Sequence, residues 1–435
     1  MPPAADGTFY DTIARRVASG HGYTWLWPDG AVTYAAHYPV GYPALVALGY
    51  RLFGAHPGIA MLENAAVGTL LPLAIHASVA SFASRRAALG VGIVAALHPA
   101  LVTYTPALMT EGVTAALVAI ACAVATAAVR RGARRPLRWP LALALGLVLG
   151  LATYVRPQCI AFAPALPLAA SLSSREALRR GAVIAVLATV GALVTVAPWT
   201  ARNCDRMGRC ALVSVNGGWN LLIGTDASAK GTWAELKVPD ACRDVFDEAE
   251  KDACFGREAR RIIAAHPLDW VALAPMKLDA TLDYFGAGPG YLRTAAPGEI
   301  SEATKRALGA LETAVQRLLL AAALFGLARL AIPDAPRRLG RALPFVLAAL
   351  ALFPHATAAY VLLGVGAIAV TVSRGRSRVP PAVPVAGAVI LLTALLHAVF
   401  FGAGRYGLVL VPATLTLSAL ALVRPFDTRE KSRHS

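Results

Sequence analysis

The sequence predicts an all-α polytopic membrane protein, and two observations carry this prediction. Of the 435 residues, 57% are hydrophobic and only 15% are charged, with a mean hydropathy of +0.57, whereas soluble domains carry about 25% charged residues. Apolar runs long enough to cross a hydrocarbon core of about 30 Å also recur along the chain. We therefore expect lipid to be the main solvent of this chain.

The apolar runs predict about eleven membrane spans. The run at 343–373 is too long for one helix and contains Pro354 and His355, so we expect two helices there. The runs lie near 58–82, 88–104, 109–129, 139–156, 158–173, 182–199, 312–332, 343–373, 382–402 and 406–423.

Net charge +16 at first suggests nucleic-acid binding, but the basic residues sort by loop. Six short connections, near 85, 130–138, 175–180, 334–341, 374–378 and 424–433, hold twenty basic residues and four acidic ones. These clusters fall at every second turn of the predicted path, as the positive-inside rule requires of cytoplasmic loops. The basic balance therefore indicates membrane topology rather than a nucleic-acid partner.

The segment 203–311 has the opposite character, with 15 acidic and 13 basic residues, and we expect it to be an extracytoplasmic loop domain. Four of the six cysteines lie in it. In an oxidising compartment they suggest two disulfides, most economically Cys204 with Cys210 and Cys242 with Cys254. A zinc site is disfavoured because there is no CxxC pair and His266 stands alone.

Successive loops must alternate between the outer and the cytoplasmic side of the membrane, and this alternation places the remaining segments. Residues 1–57 form an expected outer juxtamembrane loop with an amphipathic interfacial helix near 6–19. Since no span precedes this loop, we expect a first membrane helix to lie upstream of Met1. Membrane helices are expected at 58–202 and 312–423, and a cytoplasmic tail at 424–435.

Polar residues at the predicted outer ends of the spans converge on one face, where ionisable groups are costly and usually functional. They are Asp6, Asp11, His37, Glu111, Arg156, Arg202, His397 and Arg405. If the positions of these residues were random, they would be divided between the two sides of the membrane.

The two acids have open alternatives from the residues alone. Asp6, in DGTFY, suits a general base that takes a proton from an acceptor hydroxyl, but an Asp at a helix start is also an ordinary N-cap. Glu111 begins an apolar helix, where the helix dipole favours an anion. It could bind an acceptor, coordinate a metal or cap the helix.

The arginines and histidines also have two readings each. Arg405, near Gly402 and Gly404, suits a bidentate grip on phosphate, or it anchors the chain at the interface. Arg156 and Arg202 sit at comparable depth and are more often anchors. His37, His355 and His397 could be metal ligands or acid–base groups, although isolated histidines in aromatic boundaries are more often structural.

Four stretches together resemble the C-type (GT-C) membrane glycosyltransferases, closest to the protein O-mannosyltransferase, aminoarabinose transferase and Rgt-like group. DGTFYDTIARRVASGHGY resembles the family's first outer loop, and YPVGYPALVALGYRLFG its Pro-Pro-Gly-Tyr-Pro element, with Val40 in place of the second Pro. APWTARN followed by VSVNGGWNLLIGT resembles the entry to the large outer loop. HAVFFGAGRYGLVLVP resembles the late Arg-Tyr signature, of which only the last Pro is matched.

The resemblance implies a bundle of many helices, a polyprenyl-phosphate sugar donor, and inverting transfer to an acceptor hydroxyl outside the cytoplasm, at a bacterial plasma (inner) membrane. It implies a catalytic role for Asp6, a second acidic role for Glu111, and donor-phosphate binding by Arg405 with Tyr406. Arg156 and Arg202 are further phosphate-binding candidates. We expect the substrate site to be lined by Tyr10, His37, Tyr38, Tyr42 and His397.

The acceptor is expected to be a glycan, lipid or protein, and a divalent metal is a possible cofactor that the residues do not decide. The main alternative function is a polytopic transporter or lipid flippase. Transporters, however, usually bind substrate at the middle of the membrane on broken helices, whereas these polar residues gather at one surface.

Overall fold

The computed structural model describes residues 1–129, 139–332, 337–352, 356–374 and 379–423. The predicted basic turn at 130–138, the proposed break at Pro354 and His355, the basic residues Arg376 and Arg378, and the predicted tail at 424–435 lie outside these ranges.

The chain begins with a short helix and a hairpin. Helix α1 (Asp6–Ala18) starts with an acid, as the positive end of the helix dipole favours, and buries Tyr10, Ile13 and Ala14. Strands β1 (Thr24–Leu26) and β2 (Val32–Tyr34) then pair antiparallel, with Trp25 opposite Thr33. A helix is thus present near 6–19 as predicted, its place at the membrane interface stays a prediction, and a hairpin that was not predicted follows it.

The bundle is built from two halves that are separated in the chain by a lobe of short elements. The first half comprises α2 (Gly41–Phe53), α3 (Pro57–Gly68), α4 (Leu70–Val79), α5 (Arg85–Ala96), α6 (Pro99–Tyr104), α7 (Glu111–Val129), α8 (Trp139–Val155), a 3₁₀ turn (Pro157–Ala161), α9 (Phe162–Ala170) and α10 (Arg175–Arg206).

A lobe of short elements, residues 207–301, follows α10. It contains α11 (Gly217–Ile223), α12 (Glu248–Ala265), α13 (Pro267–Ala272), α14 (Ala274–Leu282) and α15 (Ala287–Ala295), with 3₁₀ turns at Ala227–Ala229 and Asp240–Cys242. The disulfides Cys204–Cys210 and Cys242–Cys254 join the predicted pairs, and the second lies in a small core with Phe255.

The second half of the bundle completes the chain. It comprises α16 (Glu302–Ala331), α17 (Arg337–Leu350), α18 (Thr357–Arg374), α19 (Ala382–Val399), a 3₁₀ turn (Gly404–Leu410), α20 (Val411–Ser418) and a last 3₁₀ turn (Ala419–Leu422). The long apolar run at 343–373 is divided between α17 and α18, as predicted.

The membrane character and the all-α bundle are confirmed. Within the described ranges, seven helical segments are long and apolar enough to span a membrane, and two more apolar helices, Trp139–Val155 and Pro157–Ala170, are shorter. The predicted number of about eleven spans stays a prediction. Small residues let the helices approach closely: a Cβ on Gly146 of α8 would lie 2.8 Å from the Ala188 carbonyl oxygen of α10.

The elements that matter for function meet at one end of the bundle. Helix α1, the β1–β2 hairpin, the start of α7 and the 3₁₀ turn at Gly404–Leu410 lie there beside the lobe. We call this end the loop face. It brings together residues from both ends of the chain, about 400 positions apart.

Candidate active site

Four charged side chains at the loop face form one connected group, which we call the charge cluster: Asp6, Glu111, Arg156 and Arg405. Arg405 donates from Nη1 to Asp6 Oδ2 at 2.9 Å, and its Nε lies 3.4 Å from Glu111 Oε1. Arg156 Nη1 donates to the same Glu111 oxygen at 2.8 Å. The structure thus brings together four of the predicted site residues from four separate stretches of sequence.

The members of the charge cluster differ in exposure. Glu111 is buried, with 2% of its side chain exposed, whereas 32% of the Asp6 side chain is exposed. Tyr104, at the end of α6, donates to Glu111 Oε2 at 2.7 Å, so both Glu111 oxygens are bonded. Only Asp6 of the two acids is open to an incoming molecule.

The aromatic ring of Tyr406 contacts the guanidinium groups of both Arg156 and Arg405. Its ring lies 4.6 Å from the Arg156 guanidinium carbon and 5.3 Å from that of Arg405, within the range of cation–π attraction. The ring also stacks on His397 at 4.4 Å, and His397 Nδ1 lies 3.0 Å from the Phe401 carbonyl oxygen. Tyr406 and His397 therefore orient the guanidinium groups.

Aromatic side chains flank Asp6. Tyr38 points its hydroxyl at Asp6 Oδ1, 3.5 Å away, and its ring stacks on Phe9 and meets Tyr10 edge-on. Phe9 is nearly half exposed and also contacts Trp25 of the hairpin. Burial raises the pKa of Tyr10 and of Tyr38, so both phenols stay protonated at neutral pH.

The other predicted lining residues lie one layer further from Asp6. Tyr42 is fully buried and packs edge-on behind Tyr10, so it does not reach the surface. His37 lies between Tyr38 and Trp219 of the lobe, with ring centroids 5.0 and 5.2 Å away. Burial lowers the pKa of His37 to about 4, and the nearby Asp6 only partly opposes this shift. His37 is therefore neutral at physiological pH.

Arg202 lies apart from the charge cluster, at the end of α10. Its guanidinium donates to the carbonyl oxygens of Ala35 (2.9 Å) and Tyr23 (3.0 Å), which flank the hairpin. It also lies 4.7 Å from the Trp199 ring. Among the three arginines predicted to bind phosphate, Arg156 and Arg405 come together and Arg202 does not.

Glu248 of α12 holds the hairpin from the lobe side. Its Oε1 accepts from the Trp25 indole at 3.1 Å and its Oε2 from the Ala36 backbone N–H at 2.6 Å. Burial raises the pKa of this carboxyl. We call Arg202 and Glu248 together the hairpin clamp.

Sequence reasoning missed three contributors to the site. Tyr104 and Glu248 gave no motif, because their partners are 7 and more than 200 positions away and only folding pairs them. Phe9 was not among the predicted site residues. Its place three residues after Asp6, on the same side of a helix, was the available signal.

The charge cluster does not form a ready metal site. Within the ranges that the structure describes, no group of three or more His, Cys, Asp and Glu side chains is placed to hold a metal ion. Asp6 and Glu111 supply oxygens of the kind that divalent cations prefer, but both contact the Arg405 guanidinium. A metal between them would have to displace Arg405.

An apolar cavity of about 220 Å³ adjoins the charge cluster. It lies between α3, α5, α6 and the start of α7. Tyr104, whose hydroxyl bonds Glu111, lines one end of it, together with Gly112, Val113 and Leu408. Tyr104 is therefore the side chain that links the cavity to Glu111.

Comparison with known proteins gives a family match over part of the chain and a shared fold. Residues 37–201 match the family described as dolichyl-phosphate-mannose-protein mannosyltransferase. The matched stretch contains Glu111 and Arg156, but not Asp6 or Arg405. No curated protein sequence matches the chain significantly.

Two solved structures are similar to this chain, and the first supports its fold. The oligosaccharyltransferase of Archaeoglobus fulgidus, crystallised with Zn and sulfate, is 13% identical with a TM-score of 0.50, covering 97% of this chain and 45% of its own. ArnT from Cupriavidus metallidurans, bound to undecaprenyl phosphate, is 17% identical with a TM-score of 0.40, covering 97% and 74%. This chain thus spans less than half the length of the archaeal enzyme. The resemblance predicted from the motifs is confirmed.

Proposed function

We propose that this chain, a membrane glycosyltransferase of the C type, moves a sugar from a polyprenyl-phosphate donor to an acceptor hydroxyl with inversion, using Asp6 as the general base. The observation that carries the proposal is the charge cluster, in which Arg405 bridges Asp6 and Glu111. The matched family supports a lipid-phosphate donor, since its description names dolichyl-phosphate-mannose.

The charge balance of the cluster supports a route by which the donor phosphate binds to Arg405. Two carboxylates and two guanidinium groups compensate each other, so an added phosphate needs a cation released from one carboxylate. Glu111 is buried and triply bonded, whereas Asp6 is a third exposed and holds Arg405 through one short contact. The donor phosphate therefore replaces Asp6 at Arg405, and this exchange frees Asp6 to act as a base.

The two acids then have different roles. Asp6 takes the proton of the acceptor hydroxyl as its oxygen attacks the anomeric carbon. The bond from that carbon to the phosphate oxygen breaks, and the polyprenyl phosphate leaves with the electron pair. Arg405 and Arg156 stabilise its added negative charge, as preorganised donors do. Glu111 positions both guanidinium groups and does not touch the substrates.

The surroundings suit the two substrates. The apolar cavity beside Tyr104 is suited to part of the polyprenyl chain, because apolar surface favours burial against lipid rather than water. Phe9, Tyr38 and Trp25 offer partly exposed rings on the acceptor side of Asp6. A glycan, lipid or protein hydroxyl could enter there.

The loop face is proposed to lie outside the cytoplasm, at a bacterial inner membrane. The near-neutral lobe and its two disulfides support this side, because disulfides persist in oxidising compartments. The basic clusters in the short connections support the cytoplasmic assignment of the opposite end.

The test is sugar transfer in membranes from a panel of polyprenyl-phosphate sugars, comparing the wild-type chain with Asp6→Asn and Asp11→Asn. Asp11 is a buried acid on the same helix that pairs with Arg15 at 2.7 Å, away from the charge cluster, so its substitution is the matched control. We expect Asp6→Asn to lower transfer at least about 100-fold, and Asp11→Asn to leave transfer per folded molecule nearly unchanged.

Two outcomes would contradict the proposal. If the wild-type chain transfers no sugar from any donor while its membranes move substrate across, the transporter alternative gains. If Asp6→Asn transfers sugar as fast as the wild-type chain and Asp11→Asn, Asp6 is not the base.

A further inference from the structure

We propose that Tyr291 is a positioning residue that sets the distance between the general base and the phosphate-binding arginines; this rests on the proposed function. Tyr291 lies on α15 in the lobe, is 7% exposed, and lies outside the four stretches that resemble the family. Its phenol oxygen accepts two backbone N–H groups, from Ala4 at 3.1 Å and from Leu108 at 3.3 Å.

The two bonds join the segments that lead into the two acids. Ala4 lies two residues before Asp6, and Leu108 lies three residues before Glu111, at the starts of α1 and α7. A single oxygen therefore holds both helix starts. Since Glu111 orients Arg156 and Arg405, the bond pair fixes Asp6 relative to the phosphate site.

The backbone just before Asp6 adopts a conformation that needs support from its surroundings. Ala5 has φ +50°, a region that residues with a Cβ rarely occupy and that persists only where the surroundings hold it. The Ala4 N–H bond to Tyr291 lies directly before this residue. The Gly7 N–H bond to the Ala4 carbonyl (2.9 Å) lies directly after it.

Close packing at Gly7 points to the same contact. A Cβ on Gly7 would lie 2.8 Å from the Tyr291 hydroxyl oxygen and 2.9 Å from the Leu108 carbonyl oxygen. Helix α1 thus rests directly on the Tyr291–Leu108 contact, without a side chain between. On the opposite side Asn64 donates to the Thr105 and Ala107 carbonyls, so the loop before Glu111 is held from two directions.

The first test is hydrogen exchange in Tyr291→Phe, which keeps the ring and removes the acceptor. We expect the amides of residues 1–8 and of 105–110 to exchange about tenfold faster together, because both lose the same partner. Tyr284→Phe, a half-exposed tyrosine near the same helix, is the control and should change neither segment. This readout needs no activity, so it stands even if the proposed function fails.

The second test separates positioning from general stability. In Tyr291→Phe we expect kcat to fall about tenfold while the donor KM stays the same, because Arg405 and Arg156 still bind phosphate but the base is displaced. A merely structural role would lower the amount of folded enzyme and leave kcat per folded molecule unchanged.

A second variant keeps the test decisive if Tyr291→Phe does not fold. Gly7→Ala presses on the same contact from α1 and should give the same selective loss of kcat. Unchanged exchange in both segments, or an unchanged kcat in both variants while wild-type transfer is normal, overturns the role of Tyr291 and leaves the role of Asp6 intact.

Discussion

The charge cluster and the hairpin clamp use the same residue types for different purposes. In the charge cluster, Arg405 and Glu111 are bonded to other charged groups. In the hairpin clamp, Arg202 and Glu248 are bonded to uncharged groups: backbone groups, the Asn203 amide oxygen and an indole. A charge whose partner is another side chain can exchange that partner for a substrate. A charge that satisfies backbone groups cannot leave without exposing them, so it serves the fold.

The largest effect that would sharpen this comparison is expected for the arginines. Arg405→Gln should lower kcat/KM at least about 100-fold, because a charged donor to the leaving phosphate is lost. Arg202→Gln should leave kcat/KM per folded molecule within about threefold and lower the melting temperature by a few degrees. Transfer kinetics and thermal unfolding of both variants measure this. Equal losses of kcat/KM would mean that Arg202 also serves the donor.

A smaller difference is expected for the two acids. Glu111→Gln should lower kcat/KM about tenfold or more and also destabilise the fold, because Arg156 then loses its ion pair with Glu111 while Arg405 keeps only its ion pair with Asp6. Glu248→Gln should lose one of two hydrogen bonds, about 1 kcal/mol of stability, with little change in kcat. Chemical unfolding combined with transfer assays compares them. The distinction breaks down if Glu248→Gln is the more damaging to kcat.

The smallest effect concerns His37, which lies between the two regions. Its pKa is about 4 in the folded chain against 6.5 when unperturbed, so folding disfavours its protonation. Stability from this group is complete above about pH 6.5 and is lost as the pH falls toward 4. His37→Phe should therefore lose less stability than the wild-type chain on acidification across that window, by a few degrees in melting temperature.

The matching kinetic expectation is that wild-type and His37→Phe enzymes share one pH profile of transfer between about pH 6 and 8, because His37 is neutral throughout. A limb of the wild-type profile that disappears in the variant would instead make His37 an acid–base group of the reaction.

Sequence patterns predicted the membrane class, the helix near 6–19, the pairing of the cysteines, and the location of Asp6, Glu111 and Arg405 on one face. These follow from local rules: apolar length, helical periodicity, short loop closures, and the cost of charge in a membrane. The polar residues share a boundary because topology forces them to one surface.

Tertiary structure alone separated Arg405 from Arg202 and Glu111 from Glu248. Arg405, Arg202 and Glu111 are charged residues at the same predicted boundary, and Glu248 lies in the predicted outer loop domain. Nothing in their neighbours along the chain states which partner each meets. Partners such as Ala35 with Arg202, or Tyr291 with Ala4, lie 167 and 287 positions apart. Which charges meet each other and which meet the backbone depends on how the helices pack, and packing is a property of the whole chain rather than of any local pattern.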